Sequence, residues 1–148
     1  MILLILSITR CTNLLTGFSE ERTNVMKAEG MFVAVGNNGM VYYSKDGVNW
    51  SGNINAAGNN ILNTVIYANG KFLTVNADGD IYVSTDGIKW SASPVFNAGG
   101  KIYIAYGGGK FVAVGDTGTS CVSTDGINWK EYSDTTLTNI SGITYGNN

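Results

Sequence analysis

Three aspartates stand in a setting that could do acid–base chemistry. Asp46, Asp86 and Asp125 each occupy the third place of a Ser-x-Asp-Gly-x-x-Trp segment: Ser44 to Trp50, Ser84 to Trp90 and Ser123 to Trp129. A carboxylate is a candidate general acid, base or nucleophile, and glycoside hydrolysis needs two of them flanking one bond. The rest of the sequence supplies little to work with them. There is no histidine, which excludes His-based proton transfer and His-containing metal sites. Arginine occurs only at Arg10 and Arg22, and no glutamate lies between Glu29 and Glu131. Cys11 and Cys121 are too few for a Cys-rich metal site, and Cys121 reads as a buried free thiol. No metal, cofactor or catalytic residue is expected.

The aspartates are 40 and 39 residues apart, and a period of that size signals a repeat built by stacking one supersecondary unit. Repetition favours a structural role for Ser44, Asp46, Gly47, Trp50, Ser84, Asp86, Gly87, Trp90, Ser123, Asp125, Gly126 and Trp129. Asp-Gly between strands predicts a tight hairpin, with glycine accepting positive φ and the carboxylate accepting backbone N–H bonds. The tryptophan is expected to wedge against a neighbouring unit.

Each unit extends upstream of its signature. Met31-Phe32-Val33-Ala34-Val35-Gly36, Lys71-Phe72-Leu73-Thr74-Val75-Asn76 and Lys110-Phe111-Val112-Ala113-Val114-Gly115 are matching apolar runs. Another apolar run precedes each of them, at 24–30, 64–70 and 102–107, and a polar stretch follows each tryptophan. No period of 3.6 is sustained after residue 23, so the elements are strands. Near-continuous hydrophobes in the first two strands predict burial on both faces. Four strands per unit, graded from apolar to polar, describe an all-β protein with β-propeller blades. The blades fall at about 23–62, 63–100 and 101–140, and 141–148 matches the first strand of a further blade.

Ser-x-Asp-Gly-x-x-Trp resembles the Asp-box of bacterial neuraminidase repeats (BNR), with one residue fewer between Asp and Gly. With the preceding Gly-Lys-Phe-Val-Ala-Val-Gly run, the unit is similar to sialidase-like propeller repeats of secreted bacterial and phage tail proteins. The resemblance covers about 23–148. It implies a folding motif on the blade periphery, away from any active site. Sialidases carry three clustered arginines and a Tyr/Glu nucleophile pair, which this sequence does not offer within its repeats.

A closed propeller has 4–8 blades, so about three blades and a spare strand describe a partial or oligomer-completed propeller. The expected partners are a second copy, with the terminal strand completing a blade, or another protein subunit; a fragment of a longer propeller is the other outcome. Only 14% of residues are charged and the net charge is −2, which argues against nucleic acid. Residues 1–22 hold an apolar run, Met1 to Ile8, too short to span a membrane. This segment reads as a blade remnant, or as signal-like, since Leu6 to Cys11 resembles a lipoprotein cleavage site.

Function is expected in the loops between second and third strands. Asn37, Asn38, Asn76, Asp78, Asp116 and Thr117, with Tyr42, Tyr82 or Tyr103 nearby, could bind sugar hydroxyls and stack on sugar rings. The leading expectation is a non-catalytic glycan- or receptor-binding module on a cell-surface, secreted or virion protein. A structural or assembly subunit is the alternative, and a sialidase-like glycosidase the least favoured.

Overall fold

The computed structural model describes residues 30–93, 101–115 and 117–146. Residues 1–22, the run at 24–29, Cys11, Pro94 and Asp116 lie outside them. The described residues form eleven strands and no α-helix: β1 Phe32–Val35, β2 Met40–Ser44, β3 Ser51–Asn55, β4 Leu62–Ala68, β5 Lys71–Asn76, β6 Ile81–Ser84, β7 Ser91–Ser93, β8 Ile102–Gly107, β9 Lys110–Gly115, β10 Thr117–Ser123 and β11 Lys130–Thr138. They pair as three antiparallel sheets in the orders β1-β2-β3, β4-β5-β6-β7 and β8-β9-β10-β11. This is an all-β architecture of propeller blades, with β1 lying against β4 and β4 against β8.

The registers repeat from blade to blade. Phe32 lies opposite Ser44, Phe72 opposite Ser84 and Phe111 opposite Ser123. Equal register means that equivalent residues point to equivalent faces. One face of each blade therefore carries the Phe, the residue four before the Asp, and the Trp. In the second blade these are Phe72, Tyr82 and Trp90; in the third, Phe111, Cys121 and Trp129.

The core sits at the blade junctions. Leu73, Val75 and Ile81 of the second blade join Ile104, Phe111, Ala113 and Cys121 of the third in one buried cluster. Val41, Ala57 and Leu62 form another, packed by Val33 and Val35 from one blade and Tyr82 and Trp90 from the next. Side-chain packing thus holds one blade to the next, joined at the first junction by the Leu62 N–H bond to the Gly36 carbonyl at 3.1 Å.

Burial on both faces is found in β5, where Phe72 to Asn76 are all buried. It fails in β1, where Phe32 is 57% exposed. A strand is covered twice only when a blade lies on each side. β5 has that; β1 has the second blade on one side alone among the described residues. A second difference lies at 140–146, which is in no strand, because a strand requires a hydrogen-bonded neighbour.

The Asp-Gly turn also differs from a tight hairpin. Six residues separate Ser44 from Ser51, and likewise Ser84 from Ser91 and Ser123 from Lys130. The loop is wide because it is organised by side chains rather than by a two-residue primed turn.

Candidate functional site

The three Asp-Gly loops are closed by one hydrogen-bond set. In the first, Ser44 Oγ donates to Asp46 Oδ1 at 2.9 Å and accepts from the N–H of Gly47 at 2.9 Å. Asp46 Oδ1 accepts from the N–H groups of Val48 and Asn49 at 2.9 and 2.8 Å. Trp50 Nε1 donates to the Gly47 carbonyl at 3.2 Å. The second loop repeats this with Ser84, Asp86, Ile88, Lys89 and Trp90. The third repeats the serine and aspartate bonds with Ser123, Asp125, Ile127 and Asn128. Backbone N–H donors hold all three carboxyls below the usual aspartate range, with the Asn49 and Asn128 side chains adding to the effect at Asp46 and Asp125. Such groups stay ionised and have no proton to give near neutral pH.

The second loop has one chemical difference. Asn49 Nδ2 donates to Asp46 Oδ2, and Asn128 Nδ2 to Asp125 Oδ2, both at 2.7 Å. Lys89 stands at that position in the second loop, so the asparagine bond of the other two loops has no counterpart at Asp86. Asp86 and Lys89 line a groove of about 420 Å³ with Thr85, Ser91, Ser93, Lys71, Val83, Ala92 and Ile127. Ile127 belongs to the third blade, so the groove lies at a blade junction. Lys71 Nζ donates to the Asp125 carbonyl at 2.7 Å and Ser93 Oγ to the Ile127 carbonyl at 2.9 Å, tying its walls together. A smaller groove of about 290 Å³ lies beside the first loop, against Tyr43, Lys45 and Asn49.

The loops favoured from sequence sit at the opposite end of the blades, between the second and third strands. Asn76 is buried and spent internally: its Oδ1 accepts from the N–H groups of Asp78 and Asp80 at 3.0 and 2.8 Å, and its Nδ2 donates to Asp80 Oδ2 at 2.8 Å. It organises its loop instead of facing a ligand. Asn37, Asn38, Asp78 and Thr117 are exposed, and Asp116 lies outside the described residues. Tyr82 is half-buried against the first blade's cluster, with Asn60, Asp80 and Asp78 around it. Burial, then Asp80, raises its hydroxyl pKa. Tyr42, at the equivalent place, is 40% exposed. The structure thus brings Tyr82, Asp78 and Asp80 together and leaves Asn37, Asn38 and Tyr42 on another blade.

Cys121 fills the place of Tyr42 and Tyr82 in the third blade. Its thiol is buried, and burial, followed by Glu131, pushes its pKa up to about 12. A buried thiol held in its protonated form is a poor nucleophile. Among the described residues no cluster of three His, Cys, Asp or Glu could hold a metal, and no helix is long and apolar enough to cross a membrane. The groove was missed from sequence because its walls come from two repeats; its one signal was Lys89 in place of an asparagine.

Four-stranded blades, repeated registers and a junction core define a β-propeller protein. Residues 52–141 match the DUF6242 beta propeller domain, and the chain belongs to that family. A solved structure, that of YCF48 bound to D1 peptide, is similar at a TM-score of 0.57 and 19% identity. The similarity covers 70% of this chain and 37% of that chain, so this chain spans well under half of its length. That likeness is one of fold. No curated protein matches the chain.

Proposed function

We propose that this chain is a non-catalytic binding module whose ligand, a neutral glycan, occupies the groove between the second and third blades. One observation carries the reading: Asp86 Oδ2 lacks the asparagine cap found in the other two loops and lies with Lys89 on a groove lined by Thr85 and Ser91. An ionised acceptor, an ammonium donor and hydroxyls over an apolar floor of Val83, Ala92 and Ile127 suit vicinal sugar hydroxyls. Commitment of the loop carboxylates to backbone N–H groups supports binding over turnover. The fold neighbour was solved with a peptide bound, a precedent for binding on such a scaffold. The similarity of the loops to sialidase-type Asp-box repeats, and the extracellular or virion setting suggested by composition, belong to the same reading.

The test is a glycan array followed by NMR titration of the best neutral oligosaccharide. Shifts should centre on Thr85, Lys89 and Ser91 and vanish in Lys89→Asn, which restores the cap. Absence of any glycan response, or equal binding by K89N, would refute the assignment. A second reading, an assembly subunit, is favoured by the aromatic face of the first blade, where Phe32, Tyr42 and Trp50 are 57%, 40% and 45% exposed.

A further inference from the structure

The second and third blades share an aromatic pair with no counterpart among the described residues of the first. Tyr67 and Phe72, directly opposite across β4 and β5, have ring centroids 4.6 Å apart. Tyr106 and Phe111, opposite across β8 and β9, are also 4.6 Å apart. In each pair the tyrosine is four residues before the lysine that opens the next strand. Met31 stands at the lysine position of the first blade, and Lys27 is the residue four before it. In the sequence, Lys27 thus stands where the other two blades have a tyrosine. Phe32 is 57% exposed, against 8% for Phe72 and 0% for Phe111.

The missing tyrosine recurs at the other end of the sequence. Ile143-Thr144-Tyr145-Gly146 follows the pattern of Ile104-Ala105-Tyr106-Gly107. Tyr145 is already seated beside the third blade: a Cβ placed on Gly107 would overlap its ring, so glycine is required there. This extends the succession of inner strands, β4 to β8, by one step. The tail lies where the inner strand of a following blade belongs, and it forms no ladder. β1, meanwhile, is an edge strand among the described residues.

We infer that residues 143–146 of one copy add to the edge of β1 left unpaired among the described residues, in a second copy, as the inner strand of its first blade. This deepens the assembly reading and rests on it. The register follows from the two existing blades: Tyr145 opposite Phe32, Thr144 opposite Val33 and Ile143 opposite Ala34. The first blade of the second copy then follows the third blade of the first. The junction gains a polar tie of the kind seen between Lys71 and the Asp125 carbonyl. Lys110, the exposed equivalent of Lys71, meets the carbonyl of Asp46, the equivalent of Asp125.

Light scattering across protein concentration should show self-association of the 148-residue chain. Tyr145→Lys should weaken it about tenfold or more, because an aromatic pair becomes a charge against an aromatic face. Register is tested by cysteine pairs in a Cys11→Ser background, where opposite strand positions satisfy disulfide geometry. Differently tagged T144C and V33C chains should cross-link to each other on mild oxidation. I143C with V33C, one step out of register, should not. Self-association that survives Y145K, with no T144C–V33C product, would overturn the strand exchange while leaving assembly standing. A chain that is monomeric at every concentration would overturn both. An intrachain cross-link between M26C and V33C would show the edge taken by the chain's own upstream run, and would also overturn the exchange.

Discussion

The first and third Asp-Gly loops have the same hydrogen bonds and different neighbours. Around Asp46 and around Asp125 the serine, backbone and asparagine contacts agree within 0.1 Å. Gly47 and Trp50 are nevertheless exposed, whereas Gly126 is buried and Trp129 packs against the junction cluster. The loop therefore closes without its neighbour. Its bonds are local, spanning two or three residues, and need no tertiary support. The glycine and tryptophan serve a second purpose that appears only at a junction, where the loop must be flat enough on one side for the next blade to approach.

The comparison is tested most severely at the phenylalanines. Phe111→Ala should cost about 3–5 kcal/mol in urea unfolding, as for a fully buried aromatic, and Phe32→Ala about 0.5 kcal/mol, as for a surface site. Equal losses would mean that the first blade's face is covered in solution, as the strand exchange requires; comparing dilute with concentrated protein separates the two cases.

The glycines come next. Both have φ +75°, so alanine at either pays about 1–2 kcal/mol for the left-handed backbone. An alanine at Gly126 also meets Leu73 at 3.0 Å and Phe111 at 3.4 Å, whereas at Gly47 it meets only Phe32 at 3.6 Å. Thermal unfolding should show Gly126→Ala worse than Gly47→Ala by about 1–3 kcal/mol, the cost of overpacking. Lys71→Met should lose about 1 kcal/mol, the worth of its bond to the Asp125 carbonyl. Met31 already occupies that position at the first junction, so Met31→Lys is the reciprocal variant, and stabilisation by it would show the tie to be transferable.

The smallest difference should be in acid. The loop carboxyls have folded pKa values below the ordinary aspartate value of about 3.9. The stability they contribute is present above that value and is lost as pH falls below it. Asp46→Asn and Asp125→Asn should therefore flatten the acid limb of the stability curve equally. Unequal flattening would show that the junction, and not the loop alone, sets the carboxylate's environment.

Much of this fold was legible in the residues. The period, the strands, the positive φ at Gly47, Gly87 and Gly126 and the structural use of the three aspartates all depend on contacts a few residues apart. The site was less legible. Asn76 looks like a ligand residue in the sequence and is a buried clamp, because whether an amide faces water or its own loop is decided by burial. Lys71 and Ile127 are 56 residues apart and line one groove.

The sequence by itself determined the repeat, the strand pairing within each blade and the closure of each loop, since all of these are short-range. Only the tertiary structure decided which blade faces are covered. It buried Phe111 and left Phe32 exposed, put Asp86 and Lys89 on an inter-blade groove, and set Tyr145 against Gly107. Covering a face requires a neighbouring blade some 40 residues away in sequence, and whether one is there is a property of stacking, which no single repeat encodes.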